Sequence, residues 1–226
     1  MNKLVSIITV SYNSDTSIEE TVNTVLDQTY KNIEYILIDG ASTDNTLSII
    51  KEYSKKASES GIAYKWISEP DNGIYDAMNK GLKMATGDIV GIINCGDGYY
   101  PEAIEKVNAF YARTGNQDTV LCGQMQKVNE QGADLFICEM NEKVFNNKLH
   151  NAMPLNHPAT FIPNKLYKEH GVFNTSFRIT GDYDLIYRFY QKNIRFHFSE
   201  DMYAYMRAGG ISELWSSVYT RVKEHY

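Results

Sequence analysis

Several acidic residues stand just where an apolar run gives out. Asp39 ends the run Ile33 to Asp39, Glu69 and Asp71 follow the run ending at Ser68, and Asp97 follows Ile89 to Asn94. Ser11-Tyr12-Asn13 closes the first such run in the same way. Carboxylates and small polar groups delivered together suit a ribose hydroxyl, the edge of a nucleobase, and a divalent metal that holds a diphosphate. Taken alone, Asp39 reads first as a turn-forming residue. The common phosphate-cradling loops are missing, with neither G-x-x-x-x-G-K-[ST] nor G-x-G-x-x-G after a strand, which argues against kinase, P-loop and dinucleotide chemistry. Asp182 and Asp184 are two apart on an expected helix, so they do not face each other as a carboxylate dyad. His150, His170, His197 and His225 have no metal-ligand spacing.

Such residues need a frame. The first hundred residues alternate short β-branched runs with longer amphipathic ones, as βαβ units on a mostly parallel sheet do. Strands are expected at Leu4 to Ser11, Ile33 to Asp39, Ala63 to Ser68 and Ile89 to Asn94. The intervening helices carry Ile18, Val22, Val25 and Leu26, then Leu47, Ile50 and Tyr53, then Ile74, Met78 and Leu82. Ser17 and Glu20 read as a capping box for the first helix, and Pro101 reads as the first residue of a fourth. Past Thr114 the alternation weakens. Thr119 to Val128 and Ala133 to Cys138 read as a hairpin around Asn129 to Gly132, followed by a short helix from Lys165, a stronger one from Asp182 to Lys192, and strands near Ile194 to Ser199 and Met202 to Met206. No linker divides the chain and no repeat is visible.

A chain of 226 residues is long enough for one large domain, and 43% hydrophobic residues against 22% charged exclude a disordered or low-complexity protein. Twenty-eight acids against 22 Lys and Arg leave a net charge of −6, which argues against nucleic acid as a partner. Three cysteines without C-x-x-C spacing make neither a disulfide framework nor a zinc site and fit a reducing cytoplasm. Leu4 to Val10 is far short of the ~20 apolar residues of a membrane span, so no signal peptide and no span are expected.

Four blocks of the first half carry a resemblance: Val-Ser-Ile-Ile-Thr-Val-Ser-Tyr-Asn (5 to 13), Ile-Asp-Gly-Ala-Ser-Thr-Asp-Asn-Thr (38 to 46), Ser-Glu-Pro-Asp-Asn-Gly-Ile-Tyr-Asp-Ala-Met-Asn-Lys-Gly (68 to 81) and Ala-Thr-Gly-Asp (85 to 88). Three more follow, Asn-His-Pro-Ala-Thr (156 to 160), Gly-Asp-Tyr-Asp-Leu (181 to 185) and Gly-Gly-Ile-Ser (209 to 212). In order and spacing they resemble family 2 glycosyltransferases of the bacterial surface-polysaccharide type. The resemblance implies a GT-A, Rossmann-like three-layer α/β fold: a single domain over 1–226, with a nucleotide-sugar-binding half (1–113) and a mixed, acceptor-side half (114–226). It also implies inverting transfer of a hexose from a nucleoside-diphosphate sugar, UDP-linked, to a saccharide or lipid-linked saccharide at the inner face of a membrane.

Residue by residue, the resemblance places Thr9, Tyr12 and Asp39 at the nucleobase and ribose, with Asp71 in the loop that closes over the base. Lys80, on the helix after that loop, reads as a point charge for a phosphate or as an exposed lysine on a solvated face. Asp97 stands where many relatives carry two adjacent acids; here the run is Asn94-Cys95-Gly96-Asp97, leaving one carboxylate for Mn2+ or Mg2+, which is enough if phosphate oxygens and waters complete the shell. Asp182 matches the catalytic base, with Asp184 supporting the helix start or a nearby cation. His157 lies where relatives line the cleft near donor phosphates or acceptor, although a lone histidine is as often structural. Arg207 reads as a bidentate partner of the diphosphate or as a surface ion pair.

Two rival readings remain at this point. One is a nucleotidyltransferase, which would want a basic glycine-rich loop in place of Ser11 to Asp15. The other is a sugar-nucleotide-binding protein without turnover, motivated by Gly96. Finally, Leu214, Trp215, Val218 and Val222 recur at helical spacing in 212–226, where Arg221 and Lys223 add positive charge. The expected amphipathic helix has two candidate covers, the rest of the domain or a membrane surface.

Overall fold

The computed structural model describes residues 2–115, 118–209 and 224. The expected helix over 212–226 therefore lies outside the described residues apart from Glu224. In chain order the elements are β1 (Val5–Ser11), α1 (Ile18–Leu26), β2 (Ile33–Asp39), α2 (Thr46–Ser60), β3 (Ala63–Ser68), α3 (Ile74–Met84), β4 (Ile89–Asn94), β5 (Gly98–Tyr99) and α4 (Ala103–Thr114). The second half adds β6 (Thr119–Val128), β7 (Asp134–Cys138), α5 (Glu142–Lys148), a 3₁₀ turn (His157–Ala159), β8 (Thr160–Pro163), α6 (Asn164–His170), α7 (Gly181–Gln191) and β9 (Arg195–Arg207).

The strands form one mixed sheet in the order β3-β2-β1-β4-β8-β6-β9-β5, with β7 paired to β6. The strands β3, β2, β1 and β4 run parallel, and β8 is antiparallel to both β4 and β6. Every residue of β1 and β2 is buried, because helices cover both faces of a parallel sheet and leave no face to solvent. Alternate residues feed two cores: Ile7, Tyr35 and Leu37 pack with α1, α2 and α4, whereas Ile8, Ile36 and Ile38 pack with α3, α6 and α7. This is the expected three-layer α/β arrangement.

Three local expectations are corrected. The capping box does not form: Ser17 makes no side-chain bond to its helix, and Glu20 turns instead to Arg207 and Tyr205. Pro101 sits in the turn ahead of α4, which starts at Ala103. The two expected C-terminal strands are one strand, β9, whose pairing with β6 slips register between Cys122 and Met125 opposite the polar interruption Ser199 to Asp201. A bulge keeps the ladder going where the apolar pattern stops. Among the described residues no helix is long and apolar enough to cross a membrane.

Candidate active site

Parallel pairing sets Ser11, Asp39 and Ser68 in one row across the ends of β1, β2 and β3. Asp39 is fully buried there, which would be costly for a lone carboxylate. It is satisfied by hydroxyls and main chain: Ser68 Oγ donates at 2.6 Å, Ser11 Oγ at 3.3 Å, the Ser42 N–H at 3.1 Å, and the Ser42 hydroxyl donates as well. Gly40 follows, and a Cβ there would lie 2.5 Å from Asp71 Oδ2 and 3.4 Å from the Tyr12 ring. The lack of a side chain at Gly40 thus lets Asp71 and Tyr12 close over the end of β2. Tyr12 is 63% exposed and offers its ring to solvent. Thr9 is not brought to this group: it is buried two residues earlier on β1, where its Oγ1 accepts from the Tyr35 hydroxyl at 3.0 Å. Lys80 reaches back from α3 to the Asp71 loop, donating to the Pro70 carbonyl at 2.7 Å and pairing with Glu69 at 3.1 Å and Asp76 at 3.7 Å.

The turn after β4 forms a second group. Gly96 adopts φ +92°, a conformation that glycine takes without strain, and Thr21 holds both sides of the turn by accepting from the Gly96 N–H and donating to the Asp97 carbonyl. Asp97 is only 6% exposed, and its Oδ1 accepts from the Arg207 N–H at 3.0 Å. Arg207 Nη2 donates to both carboxylate oxygens of Glu20, at 2.6 and 2.7 Å, and the rest of the guanidinium donates to the carbonyls of Gly96, Asn129 and Glu130. In this arrangement Arg207 ties the end of β9 to α1 and to the Asp97 turn. Asn94 Oδ1, at the start of that turn, is buried without a hydrogen bond among the described residues. Among the described residues no group of three or more His, Cys, Asp or Glu side chains converges as a metal cage, so a cation here would rest on Asp97 and on ligands brought by its substrate.

The third group gathers where α7 begins. Asp182 is the second residue of that helix, and its Oδ1 lies 3.3 Å from the Tyr75 hydroxyl. Tyr75 also donates to the Ile179 carbonyl at 2.6 Å; burial above all, and then the charge of Asp182, keep its phenol protonated. Gly181 makes this approach possible, since a Cβ on it would come within 2.8 Å of the Tyr75 ring. Asp182 and His157 line one small cavity of about 10 Å³, roughly the room of a single water, walled by Ile92, Ile162 and Leu185. His157 Nε2 is buried with no hydrogen-bond partner among the described residues. Burial pushes the imidazole pKa down and the negative charge of Asp182 partly restores it, so the ring is neutral at pH 7. Asp184 points elsewhere, pairing with Arg188 at 2.9 Å four residues on.

The three groups share one edge of the sheet. The loop that carries Asp71 runs directly into α3, whose second residue, Tyr75, touches Asp182, so one short segment of chain links the Tyr12, Asp39 and Asp71 cradle to the Asp182 and His157 cavity. The structure thus brings Tyr12, Asp39 and Asp71 together and joins Asp182 to His157. It leaves Thr9 and Asp184 facing other neighbours. Ser42, Ser68 and Tyr75 escaped the sequence reading as site residues. Ser68 carried a signal, being the last residue of an apolar run like Ser11 and Asp39; the contact of Tyr75 with Asp182 had none, because 107 positions separate the two.

Comparisons with known proteins bear on the family and the fold. The sequence model described as Glycosyl transferase family 2 matches residues 6–175. An uncharacterized glycosyltransferase of Rickettsia conorii is 30% identical over 205 residues, 88% of this chain and 33% of its own. The putative teichuronic acid biosynthesis glycosyltransferase TuaG of Bacillus subtilis is 38% identical over 103 residues, 46% of this chain and 40% of its own. This chain therefore spans well under half the length of either relative. Among solved structures, S. aureus TarS (residues 1–349) in complex with UDP-GlcNAc superposes with a TM-score of 0.74 at 21% identity, covering 93% of this chain and 61% of that one. The mannosyltransferase PcManGT of Pyrobaculum calidifontis, in complex with GDP-Man and Mn2+, gives 0.69 at 20% identity, covering 93% and 59%. These likenesses establish a GT-A fold. With the family's sequence pattern running through β1 to β4 and on past the 3₁₀ turn of His157, the chain belongs to glycosyl transferase family 2.

Proposed function

We propose that this chain moves a hexosyl group from a nucleoside-diphosphate sugar, UDP-linked, to a hydroxyl of a saccharide or lipid-linked saccharide, with inversion at the anomeric carbon. The half formed by residues 1–113 takes the donor and the half formed by 114–226 takes the acceptor. The observation that carries the reading is the Tyr12, Asp39 and Asp71 cradle at the strand ends, followed in the chain by Tyr75, which touches a half-buried carboxylate, Asp182, in the cavity it shares with His157.

In this reading Tyr12 covers a face of the base, and Asp39 and Asp71 take its N–H groups and the ribose hydroxyls. Asp182 accepts the proton of the acceptor hydroxyl as its oxygen bonds to the anomeric carbon and the bond to the diphosphate oxygen breaks. Neutral His157 offers its Nε2 as a hydrogen-bond partner for the acceptor or a phosphate. Asp97 is the residue that would hold Mn2+ or Mg2+, the chemistry of one protein carboxylate plus phosphate oxygens suiting either ion. When bound, such an ion supplies charge stabilisation to the departing diphosphate. General-base assistance of this kind is worth ~10²–10⁴-fold in rate. Support for a sugar-nucleotide donor comes from the complexes of TarS with UDP-GlcNAc and of PcManGT with GDP-Man. Support for polysaccharide assembly comes from TuaG, named for teichuronic acid biosynthesis.

The test is a panel of UDP- and GDP-hexoses with release of the nucleoside diphosphate as readout, with and without Mn2+ and with water or added saccharides as acceptor. Turnover of a UDP-hexose with inverted product stereochemistry is expected. Preference for a GDP-sugar, or a retained configuration, would overturn the corresponding part.

A further inference from the structure

The turn that delivers Asp182 is gripped from two sides. On one side Tyr75 donates to the Ile179 carbonyl and its ring lies against Gly181. On the other side stands a residue far along the chain. The carboxylate of Glu224 accepts from three successive main-chain N–H groups, Arg178 at 2.7 Å, Ile179 at 3.1 Å and Thr180 at 3.0 Å, and from the Thr180 hydroxyl at 3.0 Å. Burial alone would raise the Glu224 carboxyl, but these donors more than offset it and hold the group ionised below the usual carboxylate range. Hydrogen bonds to an ionised acceptor are about twice as strong as neutral ones. Thr180, which flanks the start of α7, makes no side-chain cap of its own. Glu224 therefore supplies acceptors that this turn lacks, two residues ahead of Asp182.

We propose that Glu224 is a positioning residue for glycosyl transfer: its carboxylate fixes the turn at residues 178–180 and, through it, sets the Asp182 carboxylate against the acceptor hydroxyl. The proposal rests on the reading of Asp182 as the base. It gives Glu224 a part in the reaction through the turn at residues 178–180. Misplacing a reacting group by ~1 Å costs ~10²-fold in rate, so loosening this turn is expressed in kcat. The donor cradle stands on β1, β2 and the Asp71 loop, so donor binding is untouched.

The experiment compares Glu224→Ala, Glu224→Gln and Asp182→Asn with the parent protein, at a temperature where each is folded. It uses whichever sugar nucleotide of the panel turns over fastest, reads kcat from nucleoside diphosphate release, and reads donor affinity from calorimetric titration of the same nucleotide. For Glu224→Ala a ~10–100-fold lower kcat with donor affinity within about twofold is expected. Glu224→Gln, which keeps one acceptor oxygen and the shape, recovers part of the loss. An unchanged kcat in Glu224→Ala, or a parallel loss of donor affinity and kcat, overturns the positioning role while a ~10²-fold loss in Asp182→Asn leaves the base assignment standing. Full turnover in Asp182→Asn overturns the base assignment, and the positioning role with it. Should Glu224→Ala fail to fold, the kcat of Glu224→Gln decides: a loss without change in donor affinity supports the role, and parent-like kcat ends it.

Discussion

The hydroxyl of Tyr75 lies 3.3 Å from Asp182 Oδ1 while it donates to the Ile179 carbonyl at 2.6 Å, so one phenol touches both the candidate base and the turn that carries it. Removing it leaves a carbonyl without its donor and a carboxylate with one polar neighbour fewer. Tyr75→Phe is expected to lower turnover about 10-fold and stability by about 1–2 kcal/mol, within the range for a lost buried hydrogen bond. Steady-state kinetics and a thermal melt on the same sample check this; a variant with parent kinetics would reduce Tyr75 to a tether.

Asp182→Asn keeps the shape of the side chain and removes its capacity to take a proton. Turnover is expected to fall at least ~10²-fold with donor affinity unchanged. Retained turnover in the variant would direct attention to His157, which shares the cavity.

Asp97 does more than line a loop: its Oδ1 receives the Arg207 N–H at 3.0 Å, so truncation there also loosens the end of β9. Asp97→Asn keeps an acceptor oxygen for that bond and is the cleaner variant. It is expected to lose the stimulation of transfer by Mn2+ or Mg2+ with a melting temperature close to the parent's, whereas Asp97→Ala loses both, the stability by about 1 kcal/mol. Parent activity that is identical with and without chelator would rule out Asp97 as a metal ligand.

A stability prediction concerns Glu34, buried in β2, which accepts from Ser6, from Thr86 and from the Gly87 N–H and pairs with Lys65. Burial raises its carboxyl, yet the Lys65, Ser6 and Thr86 bonds outweigh that and hold it below its ordinary value. A carboxyl that ionises more readily when folded contributes stability fully above its unfolded pKa, about 4.3, and loses it as pH falls through the lower folded value. Glu34→Gln is thus expected to be less stable than the parent at pH 7 by about 1–3 kcal/mol, the difference shrinking below pH 4. Denaturant melts across that range measure it, and a gap independent of pH would contradict the assignment.

Periodicity carried much of the fold. Strands covered on both faces are largely apolar, so Val5–Ser11 and Ile33–Asp39 announce themselves, and the ends of Ile33–Asp39, Ala63–Ser68 and Ile89–Asn94 locate Asp39, Asp71 and Asp97. The same local logic misread Glu20: three residues after Ser17, with the right chemistry for a capping box, it pairs instead with Arg207, 187 positions away. Competition of that kind is invisible in a window of four residues.

The sequence by itself determined the four parallel strands β1 to β4, the helices between them and which acids stand at the strand ends, because burial demands and turn chemistry act over a few residues. Only the tertiary structure decided which of those acids are neighbours. The row of Ser11, Asp39 and Ser68 depends on the register of three strands, the Tyr75 contact on how α7 docks against α3, and the Glu224 grip on a return of the chain across 44 to 46 positions. Such meetings are set by sheet order and helix packing, which arise from the summed burial of the whole domain and leave no mark on any short stretch of it.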